Sequence, residues 1–248
     1  MEIIHETFDF DRSLKDIDDI LTVTSDKVQK FPNIPSHEEI GNLKLFVAVC
    51  TVVYVRLRPK QVLSPTAYGE TPTGRSQVLT FRQRVLAQRI FVNLMREHQK
   101  CFEFMFFGDD MCCALDTAFK TDIDELLELL AKLNSMLYIL SRKSETAGLS
   151  ALEWGIGSHY GEAFVTVNRY HTEDERFNWS GPCFQTSSEL SDMALLDAPN
   201  TIYATDVFYQ NLKDKYKDLM RKKDPGIYIA NIINRPFKDW QTENLDNK

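Results

Sequence analysis

The residues in this 248-residue chain best suited to chemistry are two adjacent aspartates, Asp109 and Asp110, inside the run Cys101-Phe102-Glu103-Phe104-Met105-Phe106-Phe107-Gly108-Asp109-Asp110-Met111-Cys112-Cys113-Ala114-Leu115. Two short, aromatic-rich apolar runs flank the Gly-Asp-Asp. Such runs favour strands, and Gly and Asp favour turns, so the stretch predicts a β-hairpin with carboxylates at its tip. Carboxylates at the mouth of a rigid hairpin suit a hard divalent cation. The same three residues also read as a plain turn.

The neighbouring elements must position that hairpin. Leu45 to Leu57 (LFVAVCTVVYVRL) is β-branched and almost continuously apolar, which predicts a central strand buried on both faces. Arg56 near its end reads locally as an arginine reaching for the strand terminus. Residues 58–82 are rich in Pro, Thr, Ser and Gly and predict a long loop. Val85, Leu86, Ile90, Phe91 and Leu94 then recur at helical spacing from Arg84 to Glu97. A second helix starts at Thr121-Asp122-Ile123-Asp124-Glu125, whose acids suit a positive helix end, and Gly148 closes it. Leu152 to Val167 predicts two strands around a bend at Gly155, Gly157 and Gly161, with His159 as a turn residue. These glycines do not follow a dinucleotide fingerprint. His171 to Glu175 reads as a charged hairpin tip. A helix through Phe184, Leu190, Met193 and Leu195 follows, then a strand Thr201–Thr205, a helix capped by Asp206, a last strand at 227–233 and a polar tail. This order predicts an α/β sandwich, a mixed and largely antiparallel sheet with helices packed on it. The acidic N-terminal stretch is expected to pack Phe8, Phe10, Leu14 and Ile17 onto the body, with a connector up to Gly41.

Composition narrows the partners. The formal net charge is −7, with 43% hydrophobic residues. That balance gives no support for broad nucleic-acid or anionic-membrane binding, which need clustered basic charge. No apolar run is long enough to span a membrane, and residues 1–6 lack the basic start of a signal peptide. The five cysteines (Cys50, Cys101, Cys112, Cys113, Cys183) show no metal-ligand spacing and fit a reduced cytoplasmic setting.

Three stretches together resemble the class III nucleotide cyclase homology domain, and most closely the pyrimidine nucleotide cyclases of the bacterial Pycsar antiphage system. They are Phe8-Asp9-Phe10-Asp11-Arg12-Ser13-Leu14, Phe107-Gly108-Asp109 with Leu115 to Glu125, and Gly155 to Ala163. The resemblance implies a domain over 42–235 with an inserted loop at 58–82, an arm at 1–41 and a tail at 236–248. It also implies a two-metal site of two aspartates, and a head-to-tail dimer whose second subunit lends an asparagine and a basic residue to the ribose and phosphate.

Carried onto this sequence, the resemblance keeps one metal aspartate, Asp109. The other position is Arg56, which stays cationic and cannot bind a cation. No residue from Leu43 to Pro59 is acidic, so no shift of register supplies that carboxylate. The asparagine position is Gln185 and the basic position Glu189; the base-reading positions are Met105 and Asn178. Gly108, Asp110, Trp179 and Gly181 complete the implied nucleotide pocket. Arg56 is expected to pair with Asp109, and Asp110 to point to the opposite face.

The expectation is a degenerate cyclase homologue that binds a nucleotide, a phage component or a partner protein in a defence locus, as a homodimer or as a heterodimer with an active cyclase. The alternative is an active cyclase making cyclic UMP or cyclic CMP, with Mg or Mn as cofactor and an acid such as Glu70 as a substitute ligand.

Overall fold

A computed structural model describes residues 10–22, 28–41, 43–60, 74–169 and 175–244. The expected α/β sandwich is the observed one. Strand β2 (Leu45–Pro59) is the centre. It pairs antiparallel with β4 (Asp110–Leu115) on one side and along its whole length with β5 (Leu152–Arg169) on the other. Beyond β4 lies β3 (Cys101–Phe107). Beyond β5 come β7 (Thr201–Thr205), β9 (Ile227–Ala230) and the edge strand β8 (Arg221–Asp224), while β1 (Gln29–Phe31) adds to β2 and β6 (Glu175–Ser180) to β5.

Alternation along β2 divides its apolar residues between two cores. Val53, Val55 and Leu57 face one core together with α3 (Gly74–Met95), α4 (Lys120–Thr146) and α6 (Asp206–Asn211). Phe46, Ala48, Cys50, Val52 and Tyr54 face a second core with Trp179 of β6 and Cys183 and Phe184 of α5 (Pro182–Asp197). Buried Trp154 of β5 donates from its indole to Asn134 of α4 at 2.8 Å, so this aromatic is anchored as well as packed.

The expected glycine-rich bend is instead one uninterrupted strand, β5. Its glycines serve close packing. A Cβ on Gly155 would lie 2.1 Å from the Ser191 carbonyl oxygen, and one on Gly157 would lie 2.0 Å from that of Ser187. Helix α5 therefore lies directly on the backbone of β5. His159 is a mid-strand residue whose Nδ1 is 2.8 Å from Thr205 Oγ1. Thr205, not Asp206, caps α6, accepting from the Phe208 N–H. The start of α4 is as expected: Asp122 accepts from the Phe119 N–H at 2.9 Å, and Gly148 leaves the helix end at φ +74°.

Other boundaries differ from expectation. Helix α3 begins at Gly74, while 61–73, including Glu70, lie outside the described residues. The segment read as a connector contains β1 and a helical turn, α2 (His37–Ile40), with Ile34 and Ile40 buried. Helix α1 (Phe10–Leu21) forms, but Leu14 and Ile17 are exposed, because both sheet faces are already covered by other elements. Phe8 and 170–174 of the charged tip lie outside the described residues. A helical turn, α7 (Asp214–Lys217), precedes β8, and the tail folds in part as α8 (Arg235–Asn244), with Phe237 buried against the Tyr138 ring at 5.2 Å.

Candidate functional site

The ladder between β2 and β4 fixes the site. Its last pairs are Tyr54 with Cys112 and Val55 with Met111, so the next position sets Arg56 beside Asp110. The turn above them spans Gly108 and Asp109, since Phe107 pairs with Asp110. Gly108 has φ +64° and Asp109 does not share a positive φ, the pattern of a II′ hairpin turn with glycine first.

The expected Arg56–Asp109 pair does not form. Arg56 Nε lies 3.1 Å from Asp110 Oδ2, one terminal nitrogen pairs with Asp192 of α5, and the other donates to Ser188 Oγ at 2.9 Å. Asp110 thus shares a face with Arg56, contrary to expectation, because the pairing is set by the ladder and Asp109 belongs to the turn. Asp109 turns to α3, where its carboxylate meets Arg84 at 2.8 Å.

Tyr54, two positions before Arg56 on the same face, donates its hydroxyl to Asp110 Oδ2 at 3.1 Å. The Arg56 guanidinium carbon sits 5.5 Å from the Tyr54 ring centre. Gly155 is the residue of β5 opposite Arg56 and carries no side chain to displace the guanidinium or α5. Burial pulls the Arg56 guanidinium down, but the Asp110 and Asp192 carboxylates outweigh it and hold it above its ordinary value. Burial pushes the Asp110 carboxyl up, against the pull of Arg56 and the Tyr54 hydroxyl, with Asp192 and Asp109 adding repulsion. Burial and the Asp110 charge together raise the Tyr54 phenol.

This donor set does not fit a pair of divalent ions. Of the two positions that would hold them, Arg56 is a guanidinium with no lone pair to give and Asp109 is turned away and paired with Arg84, while the carboxylate that does lie beside Arg56, Asp110, is already paired with that cation. Among the described residues no group of three or more His, Cys, Asp or Glu could hold a metal ion.

The remaining candidate residues are dispersed. Met105 packs into the second core. Trp179 is buried there and its indole N–H is spent on Glu103, whose carboxyl burial pushes up. Asn178 is exposed on β6. Gly181 (φ +94°) precedes α5 and lies against Phe164. Gln185 and Glu189 bond each other at 2.9 Å on the exposed face of α5. The sequence reading missed Tyr54, Arg84, Ser188 and Asp192. The signal for the last two was their spacing of four on a helix, which places both on the stripe facing Arg56.

Solved nucleotide cyclase structures share this architecture. A guanylyl cyclase structure superposes with a TM-score of 0.53 at 15% identity, covering 77% of this chain and 95% of that one. The fold is that of the class III nucleotide cyclases. A bacterial light-regulated adenylyl cyclase gives a TM-score of 0.55 at 13% identity, over 82% of this chain and 57% of the other. A class III adenylyl cyclase-like ATP-binding protein from Pseudomonas aeruginosa gives 0.53 at 16% identity, over 92% of this chain and 52% of that protein. In sequence, a uridylate cyclase from Gulbenkiania mobilis is 23% identical over 98% of this chain and 100% of its own length. No family model matches. Within the cyclase fold, then, the end of the central strand carries a cation bound to its own subunit's carboxylates.

Proposed function

We propose that this nucleotide cyclase-like protein is catalytically silent and acts as a nucleotide- or partner-binding regulator in bacterial antiphage defence, in the manner of a Pycsar cyclase homologue. One observation carries the reading: Arg56 occupies the strand-end position and is neutralised internally by Asp110 and Asp192. Two-metal cyclisation needs ions to activate the ribose hydroxyl and to hold the triphosphate. With a guanidinium at one ligand position and Asp109 paired with Arg84, no ligand pair is left for them. The nucleotide-binding part of the reading draws on the likeness in fold to a class III adenylyl cyclase-like ATP-binding protein. The reading includes a head-to-tail pair, with itself or with an active cyclase, in which the exposed Gln185 and Glu189 of α5 face the second subunit's site.

A second reading, an active cyclase acting on UTP or CTP with Mg or Mn, draws on the near-full-length similarity to a uridylate cyclase. Incubating the protein with each of the four nucleoside triphosphates and manganese, then separating products by chromatography, decides between them. The silent reading expects no cyclic product. Cyclic UMP or cyclic CMP that disappears with Asp109→Ala or Asp110→Ala would overturn it. A thermal-shift screen with the same nucleotides tests binding, since a ligand at about 100 times its Kd adds about 2.7 kcal/mol of stability.

A further inference from the structure

The fold brings cysteines together that the sequence leaves unrelated. Cys101 opens edge strand β3 and Cys113 lies within β4. Cys101 pairs across the ladder with Leu115 and Phe104 with Cys113, and a register shift between Cys101 and Glu103 separates the two pairs. Cys113 and Leu115 are two apart on one strand and share a face, so Cys101 and Cys113 are diagonal neighbours on that face. Both pack into the core under α3 and α4.

Their environments differ. Cys113 is fully buried, while Cys101 is partly exposed on the edge strand. The neighbouring Cys113 thiol and the Arg96 guanidinium, which sits 5.9 Å from the Phe104 ring centre, outweigh burial and hold the Cys101 thiol below its ordinary value. Burial holds Cys113 protonated. A partly exposed, cation-flanked thiol beside a buried partner is the arrangement of an attacking and a resolving cysteine.

We propose that Cys101 is a peroxide-reactive cysteine and that Cys113 resolves it to an intramolecular disulfide. The Cys101 thiolate attacks one oxygen of hydrogen peroxide, the O–O bond breaks, and the sulfur leaves as a sulfenic acid while the hydroxide takes a proton to become water. The Cys113 sulfur then attacks the Cys101 sulfur. The S–O bond breaks, and the departing hydroxide takes the Cys113 proton as a second water. Two thiols are oxidised by two electrons and one peroxide is reduced. The product ties β3 to β4 at the foot of the hairpin whose tip carries Asp109 and Asp110.

The test uses the full chain treated with hydrogen peroxide and then with an alkylating agent. Cys101, Cys112 and Cys113 all fall in the tryptic peptide 101–120, which contains no internal Lys or Arg. The proposal expects this peptide to lose two hydrogens and keep one alkylatable thiol. That loss persists in Cys112→Ser and vanishes in Cys101→Ser, while Tm rises by about 6 °C, as expected of a short loop closed by a disulfide. Cys101→Ser without oxidant keeps the wild-type Tm within a few degrees, which separates chemistry from misfolding. Three alkylatable thiols after treatment, a loss that survives Cys101→Ser, or sulfinic acid at Cys101 without pairing each overturn the proposal.

Discussion

Arg56→Asp puts a carboxylate at the end of the central strand, where the resemblance to the nucleotide cyclases implies a metal ligand. The wild-type clamp joins side chains that are 28%, 23% and 44% exposed at Arg56, Asp110 and Asp192. Breaking a fully buried pair costs about 3–5 kcal/mol and an exposed one under about 1 kcal/mol, so this half-exposed clamp contributes about 2 kcal/mol. The new carboxylate also faces Asp110. At roughly 5 Å and an effective dielectric of about 20, two like charges repel by about 3 kcal/mol. A chain of this size shifts by about 2–4 °C per kcal/mol, so Tm in EDTA falls by about 10 °C or more. The same change sets a second carboxylate beside Asp110, so manganese at about 100 times its Kd for that pair restores about 2.7 kcal/mol, or about 5–10 °C. The assay is a thermal-shift titration of wild type, Arg56→Asp, and Arg56→Asp with Asp110→Asn. A manganese response equal in all three, or an Arg56→Asp protein as stable as wild type in EDTA, would refute the account of the clamp.

Three further expectations follow from other parts of the fold. Gly157→Ala drives a Cβ into the Ser187 carbonyl, and because backbone rather than a flexible side chain must yield, it costs about 3 kcal/mol, read as a drop in Tm by circular dichroism. Burial holds the His159 imidazole below its ordinary value near 6.5. The folded chain then binds fewer protons than the unfolded one as pH falls through that range, so stability present above about pH 6.5 is lost on acidification. Denaturant melts of His159→Gln between pH 5 and 7.5 should lack that loss, whereas Asp110 and Glu103, raised by burial, contribute in the opposite sense at lower pH. Phe237→Ala empties the contact of α8 with Tyr138 and costs about 3 kcal/mol in a chemical denaturation curve with unchanged slope.

The fold was legible where one periodicity ran unopposed. The β-branched run of β2, the alternation through the hairpin and the leucine stripe of α4 each admit a single secondary structure. Legibility failed where residues serve a neighbour distant in sequence. Gly155 and Gly157 read as a bend because the backbone of α5 that needs their missing side chains lies about 30 residues later. The clamp failed by one position for a similar reason. Local alternation says only that Asp109 and Asp110 point apart; the β2–β4 register decides which of them meets Arg56. Arg84, Ser188 and Asp192 look like surface polars in their own segments and gain a role only where α3 and α5 converge on the hairpin. The absence of any acid on β2, by contrast, was readable directly, since composition needs no partner.

The register of the two central strands also bears on synthesis. Leu45 of β2 pairs with Thr166 of β5, about 120 positions later. At about 5–20 residues per second, the most apolar strand leaves the ribosome several seconds, and up to about 24 s, before its longest partner exists. During that interval β4 can cover one edge of β2 and α4 can shelter one face, whereas the edge meant for β5 stays open. The nascent chain is therefore a substrate for holdase chaperones until β5 emerges, and an mRNA change that slows decoding between codons 116 and 166 should lower soluble yield while leaving the finished protein's stability untouched.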